Sequence, residues 1–132
     1  VKMGVEAIKG NLTINGHSTI TFESGEKNYG VKVKNGATAN LTSVKIKGTG
    51  SGQGTGVYVE GAKAVTLERV QISNVSEGVL MKGTGMLTMN KGEITFKSGK
   101  DNYGIGVGKS VTKATLTSVT VAGTDGQGKG VV

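Results

Sequence analysis

The closing stretch "GTDGQGKGVV" (123–132) holds Gly123 to Lys129 in the order G-x-x-x-x-G-K, the opening of a phosphate-cradling loop. That chemistry needs Ser or Thr after the lysine, then a helix whose N-terminal amides meet the anion. Here Gly130 follows Lys129, and a strand-like ending follows Gly130. The stretch also recurs: "GTGSGQGTGV" (48–57) matches it, with Thr55 where Lys129 stands. Lysine is not a fixed part of the pattern. The glycines are therefore assigned to tight turns that need φ > 0, and no nucleotide site is expected.

Other catalytic patterns are missing too. The one histidine, His17, sits in the turn-like "NGHST", and Asp101, Asp125 and the glutamates are scattered through turns and outward positions. No pair of carboxylates is placed to flank a sugar bond. Without cysteine, and with a single histidine, a soft or imidazole metal site has no ligand set. No catalytic, cofactor or metal residue is assigned, and the chain is read as a non-enzyme. Asn11, Asn40 and Asn74 begin N-x-S/T triplets, which a Thr- and Asn-rich repeat produces by composition. Asn28 and Asn102, each in "NYG", are expected to bond their side chains to nearby backbone.

What remains is basic charge. Lys32, Lys34, Lys45 and Lys47 fall on outward positions of one repeat unit, and Arg69 falls one unit on. They are the candidate partner-binding residues, although outward lysines also keep a β-rod soluble. With a formal net charge of +7 and a pI of 9.7, the chain favours an acidic receptor patch or an anionic glycan. Nucleic acid is disfavoured, because Tyr29, Tyr58 and Tyr103 are not expected to form a stacking row with the lysines.

The elements that must position these residues are set by repetition. "NYGVKVKNGATANLTSVKIKGTGSGQGTGV" (28–57) overlays "NYGIGVGKSVTKATLTSVTVAGTDGQGKGV" (102–131) at an offset of 74 to 75 residues. Within it a glycine and an alternating strand recur at Gly4, Gly30, Gly56, Gly78, Gly104 and Gly130, in steps of 26, 26, 22, 26 and 26. Each unit carries a second apolar segment, such as "LTSVKI" (41–46), where Leu41, Val44 and Ile46 point inward across a bend. Two units add a third segment, "ITF", at 20–22 and 94–96.

Every segment has period two and none has sustained helical spacing. Aromatics are 4% of residues and glycines number 24, so the core must be aliphatic. No apolar run approaches the roughly 18 residues of a membrane helix, so no membrane insertion is expected. Strands returning at a fixed period predict an all-β fold: a right-handed parallel β-helix of about five coils, 22–26 residues each. Residues 1–132 form a single such segment, with a length on the order of 25 Å. Val5, Val31, Val57, Val79, Ile105 and Val131 are expected to stack in one inward column. Coils with open ends are also expected to associate end to end or to be capped by flanking sequence.

The stretches "GVYVEGAKAVTLERVQISNVSEGVLMKGTGMLTMNKGEITF" and "NYGIGVGKSVTKATLTSVTVAGTDGQGKGVV" resemble the passenger domains of bacterial autotransporters, in particular those of Bartonella. The resemblance lies in the repeat pattern and covers nearly the whole chain. It implies an exported β-helix, secreted or held at the bacterial surface, that binds a host cell without catalysis. Within the group the likeness is to angiogenic passengers acting through a vascular endothelial growth factor receptor. The sequence starts and stops inside the repeat, as a fragment of a longer passenger would. Alternative roles are a passive stalk or adhesin segment and, more distantly, a polysaccharide-binding module.

Overall fold

The computed structural model describes residues 2–132, and those residues form sixteen β-strands and no helix. The first coil consists of β1 (Met3–Ala7), β2 (Asn11–Ile14) and β3 (Thr19–Phe22). The second is β4 (Tyr29–Lys34), β5 (Thr38–Thr42) and β6 (Lys45–Gly48). The third is β7 (Thr55–Glu60), β8 (Ala64–Glu68) and β9 (Gln71–Val75). The fourth is β10 (Glu77–Lys82), β11 (Met86–Asn90) and β12 (Glu93–Phe96). The fifth is β13 (Tyr103–Val107), β14 (Lys113–Thr117) and β15 (Thr120–Gly123), after which β16 (Lys129–Val131) begins another circuit.

Strands at equivalent points of successive coils pair in parallel, giving three sheets. The first sheet runs β1-β4-β7-β10-β13-β16, and the other two have five strands each. Val5, Val31, Val57, Val79, Ile105 and Val131 are consecutive partners in the first sheet, so the expected column is present. In the second sheet Leu41 pairs with Leu67, and Leu67 with Met89. Ile46, Ile72 and Ile94 stack in the third. These side chains fill the interior; those of the middle coils are almost wholly shielded from water.

The structure first corrects the strand count: every coil has three strands, not only those containing "ITF". "LTSVKI" is two strands meeting at a corner. Ser43 turns the chain with φ 55° and Val44 then points inward, 1% exposed. His17, Arg69, Lys91 and Ser118 stand at the same corner of their own coils, all with left-handed φ of 53° to 61°. Non-glycine residues seldom take this conformation, so the residue types at Ser43, Arg69 and Ser118 do not announce the corner in the sequence.

A second correction concerns the recurrent glycines. Those that open each coil are needed for close packing rather than for a left-handed turn. A Cβ on Gly30 would lie 2.4 Å from Ile46 Cγ2 and 2.8 Å from the Gly56 carbonyl oxygen. The same clash, with the next coil's glycine and the local Ile, recurs at Gly4, Gly56 and Gly78. Gly30 and Val31 both face inward, so the alternation slips by one residue and Tyr29 joins Lys32 on the outer face.

The long 74 to 75-residue repeat has its own packing cause. Phe22 pairs with Gly48, and Phe96 with Gly123. The Phe22 ring lies where a side chain on Gly54 would begin and touches the Gly48 position, where the Asn74 carbonyl leaves no room for a Cβ; Phe96 crowds Gly123 and Gly128 in the same way. A coil with an inward phenylalanine is thus followed by a coil stripped to glycine. The third coil, with Val75 at that point, separates the two Phe-and-Gly pairs.

Candidate binding surface

The glycine-rich run 123–129 leaves β15, turns through Thr124–Gly128 and enters β16 at Lys129. Lys129 opens a strand of the first sheet, so no helix dipole faces the loop. Gly126 and Gly128 have φ of 83° and 100°, and these two do serve as turn glycines. Gly123 has no positive φ and is held to glycine by the Phe96 ring. The resemblance to a phosphate loop therefore comes from turn geometry combined with an aromatic ring beneath it.

The five basic candidates are divided between faces. Lys32 and Lys34 lie in β4 on the first sheet, whereas Lys45 and Lys47 lie in β6 on the third. Arg69 stands at the corner leading into β9, one coil beyond Ser43. Arg69 and Lys45 line a shallow cleft of about 310 Å³ together with His17 and Gln71. Lys45 and Lys47 line a neighbouring cleft of about 210 Å³ that reaches Glu93. Among the described residues, Lys45, Lys47 and Arg69 form no ion pair, and all three are exposed.

The first-sheet pair is more committed. Lys34 Nζ sits 3.8 Å from Glu6 Oε2. Lys32 Nζ lies over two rings, 5.3 Å from the centre of Tyr29 and 5.6 Å from that of Tyr58. Those rings are stacked, with centroids 4.7 Å apart and planes inclined by 15°. Lys82 also approaches the Tyr58 ring, at 5.9 Å. The expectation that tyrosines and lysines would not form a row is thus wrong for Tyr29, Tyr58 and Lys32. The inward glycine beside Tyr29 shifts the alternation and brings the rings within reach across neighbouring coils. Tyr103 packs differently, its ring against Gly106.

Tyr58 and Tyr103 are held in their neutral form. Tyr58 donates its hydroxyl hydrogen bond to Glu60 Oε2 at 2.7 Å. That bond, helped by burial and the Glu60 charge, pushes the Tyr58 phenol up to about 12. Tyr103 is also pushed up to about 12, first by burial and then by the nearby Glu77 charge.

Asn28 and Asn102 take the backbone role expected of them. Asn28 Nδ2 donates to the Glu23 carbonyl at 3.0 Å, and Asn102 Nδ2 to that of Lys97 at 2.8 Å. Asn74 is also committed, donating to Gly48 O at 2.7 Å and Gly50 O at 3.2 Å. One feature that sequence reasoning misses is a recess of about 610 Å³ beside Ser76. Its signal is the single 22-residue step, which marks a missing loop rather than a trivial length adjustment.

Among the described residues, no group of three or more His, Cys, Asp and Glu is placed to hold a metal ion. Nor is any helix among them long and apolar enough to cross a membrane. No known protein family, curated protein or solved structure matches this chain.

Proposed function

We propose that this chain is a non-enzymatic ligand that docks a basic face onto an acidic surface of a host-cell receptor. The supporting observation is that the four lysines are surplus to the coil. Lys32 aligns through Tyr58 and Leu80 with Gly106, and Lys45 aligns through Gln71 and Glu93 with Thr120. The same backbone is built at both ends of these columns, so packing does not require the charge. The third-sheet group, Lys45, Lys47 and Arg69, is the preferred contact because Lys34 already pairs with Glu6 and Lys32 rests on two rings.

The resemblance to exported angiogenic passengers supports a receptor of the vascular endothelial growth factor class on endothelial cells. The regular stacking also suits a passive stalk, and one experiment separates these roles. The pairs K45E/K47E and K32E/K34E, and the quadruple variant, are added to endothelial cells and receptor phosphorylation is measured. The exposed K45E and K47E should each change stability by no more than about 0.5 kcal/mol. K32E and K34E also lose the ring contacts and the Glu6 pair, so folding of those variants is checked alongside. K45E/K47E should slow association more than K32E/K34E, and wild-type binding should weaken with salt. A folded quadruple variant that signals like wild type would remove the basic face from the account. A wild-type segment that never signals would leave the stalk.

A further inference from the structure

The recess beside Ser76 is independent of the basic face. In four coils the third sheet is joined to the first by a loop: residues 23–28, 49–54, 97–102 and 124–128. In the third coil Ser76 alone makes the connection. The omission opens a gap two rungs high, about 10 Å, between the loops on either side. The resulting cleft of about 610 Å³ is large enough for a small ligand.

Its walls are fixed before any ligand arrives. Asn74 ties down the lower loop through Gly48 and Gly50. The Ser76 hydroxyl accepts from Gly54 N and donates to Gly54 O, both at 3.1 Å. Asn102 braces the upper loop through the Lys97 carbonyl. Glu77 accepts the Thr55 hydroxyl on Oε1 at 3.3 Å. Such pre-organisation lowers the ordering cost of binding.

The lining selects the chemistry. Ser51 and Gln53 on one side, and Asp101 on the other, offer hydroxyl, amide and carboxylate groups suited to neighbouring sugar hydroxyls. Tyr103 lies against the sheet: a Cβ on Gly106 would come within 2.6 Å of its ring. The exposed side of that half-buried ring is a platform for the apolar face of a pyranose. Glu26, Glu77 and Asp101 disfavour an anionic occupant. The Lys97 stem crosses onto Gly52, 2.7 Å from where a Cβ would stand, and its cation offsets part of that negative charge. We propose that this recess binds a neutral saccharide of one or two rings, a site distinct from the basic surface.

The test uses the isotope-labelled chain and a panel of neutral sugars: glucose, galactose, N-acetylglucosamine and their disaccharides, up to tens of millimolar. At least one should shift the amides of Gly52, Ser76, Asp101 and Asn102 saturably. Tyr103→Leu, which keeps an apolar contact on Gly106, should bind about tenfold more weakly, the loss of roughly one hydrogen bond and one ring face. Replacing Ser76 with the sequence of loop 49–54 restores the missing loop and should abolish binding. Unchanged amide shifts at Val31, Val57 and Val79 would show that either variant is still folded. The proposal fails if no sugar moves these amides, or if both folded variants bind like wild type. It fails equally if only tetralysine or tetraglutamate binds there.

Discussion

The first two coils and the last two are built on one plan, yet they present different surfaces. Phe22 over Gly48 and Gly54 is repeated as Phe96 over Gly123 and Gly128. Ser24 and Ser98 each bond to the following loop, through Gly52 N at 2.9 Å in the first pair and through Asp125 N in the second. Outside, Tyr29 stacks on Tyr58 beneath Lys32, whereas its counterpart Tyr103 covers Gly106. Interior and turns are therefore set by coil geometry, and the outer face is free to differ. The proposed recognition draws on the surfaces where the two halves differ.

The largest test of this comparison is made inside. Phe22→Ala and Phe96→Ala should each destabilise by about 3–5 kcal/mol, because the neighbouring glycines cannot fill the cavity. Urea denaturation of the two variants should give similar losses if the pairs are equivalent. A loss below about 1 kcal/mol in either would mean that its ring does not support the next coil.

A smaller effect is expected where the third coil holds the first pair. Asn74→Ala removes two side-chain bonds to the 48–50 segment and puts alanine at φ 54°. The expected cost is about 2 kcal/mol, with faster hydrogen exchange confined to loop 49–54. Equal protection loss in loop 124–128 would contradict this local role.

The smallest effect reads Tyr58 and Tyr103 together by pH. Tyr58 and Tyr103 titrate near 12 in the folded chain against an ordinary 10.0. Above the ordinary value the unfolded chain has released protons that the folded chain still holds, so stability falls as pH rises between about 10 and 12. Thermal melts of Y58F/Y103F should fall less across that window than those of wild type. Parallel slopes would show that the phenols are not linked to folding.

Much of this is legible in the sequence. The inward column from Val5 to Val131, and the coil count, can be read from glycine spacing because each residue type repeats at each rung. The third strand is hidden in "LTSVKI", since Ser43 and Arg69 take a left-handed corner that ordinarily advertises itself by glycine or asparagine. The Tyr29–Tyr58 stack is hidden for a related reason. Strict alternation puts Tyr29 and Lys32 on opposite faces, and only the paired inward Gly30 and Val31 bring them together. The basic candidates are identifiable by residue type, but their division between two sheets needs the third strand.

The fit of each phenylalanine against glycine also bears on misfolding. Nearly identical rungs invite slippage, in which one coil is looped out and the next takes its place. If the second coil were skipped, the Phe22 ring would meet Val75, a side chain already buried in the column with Phe96. Gly48 leaves the space beside the ring open, whereas Val75 fills part of it with its own side chain. The bare rung after Phe22 therefore opposes loss of the second coil, a register error that would set this ring against a bulkier side chain.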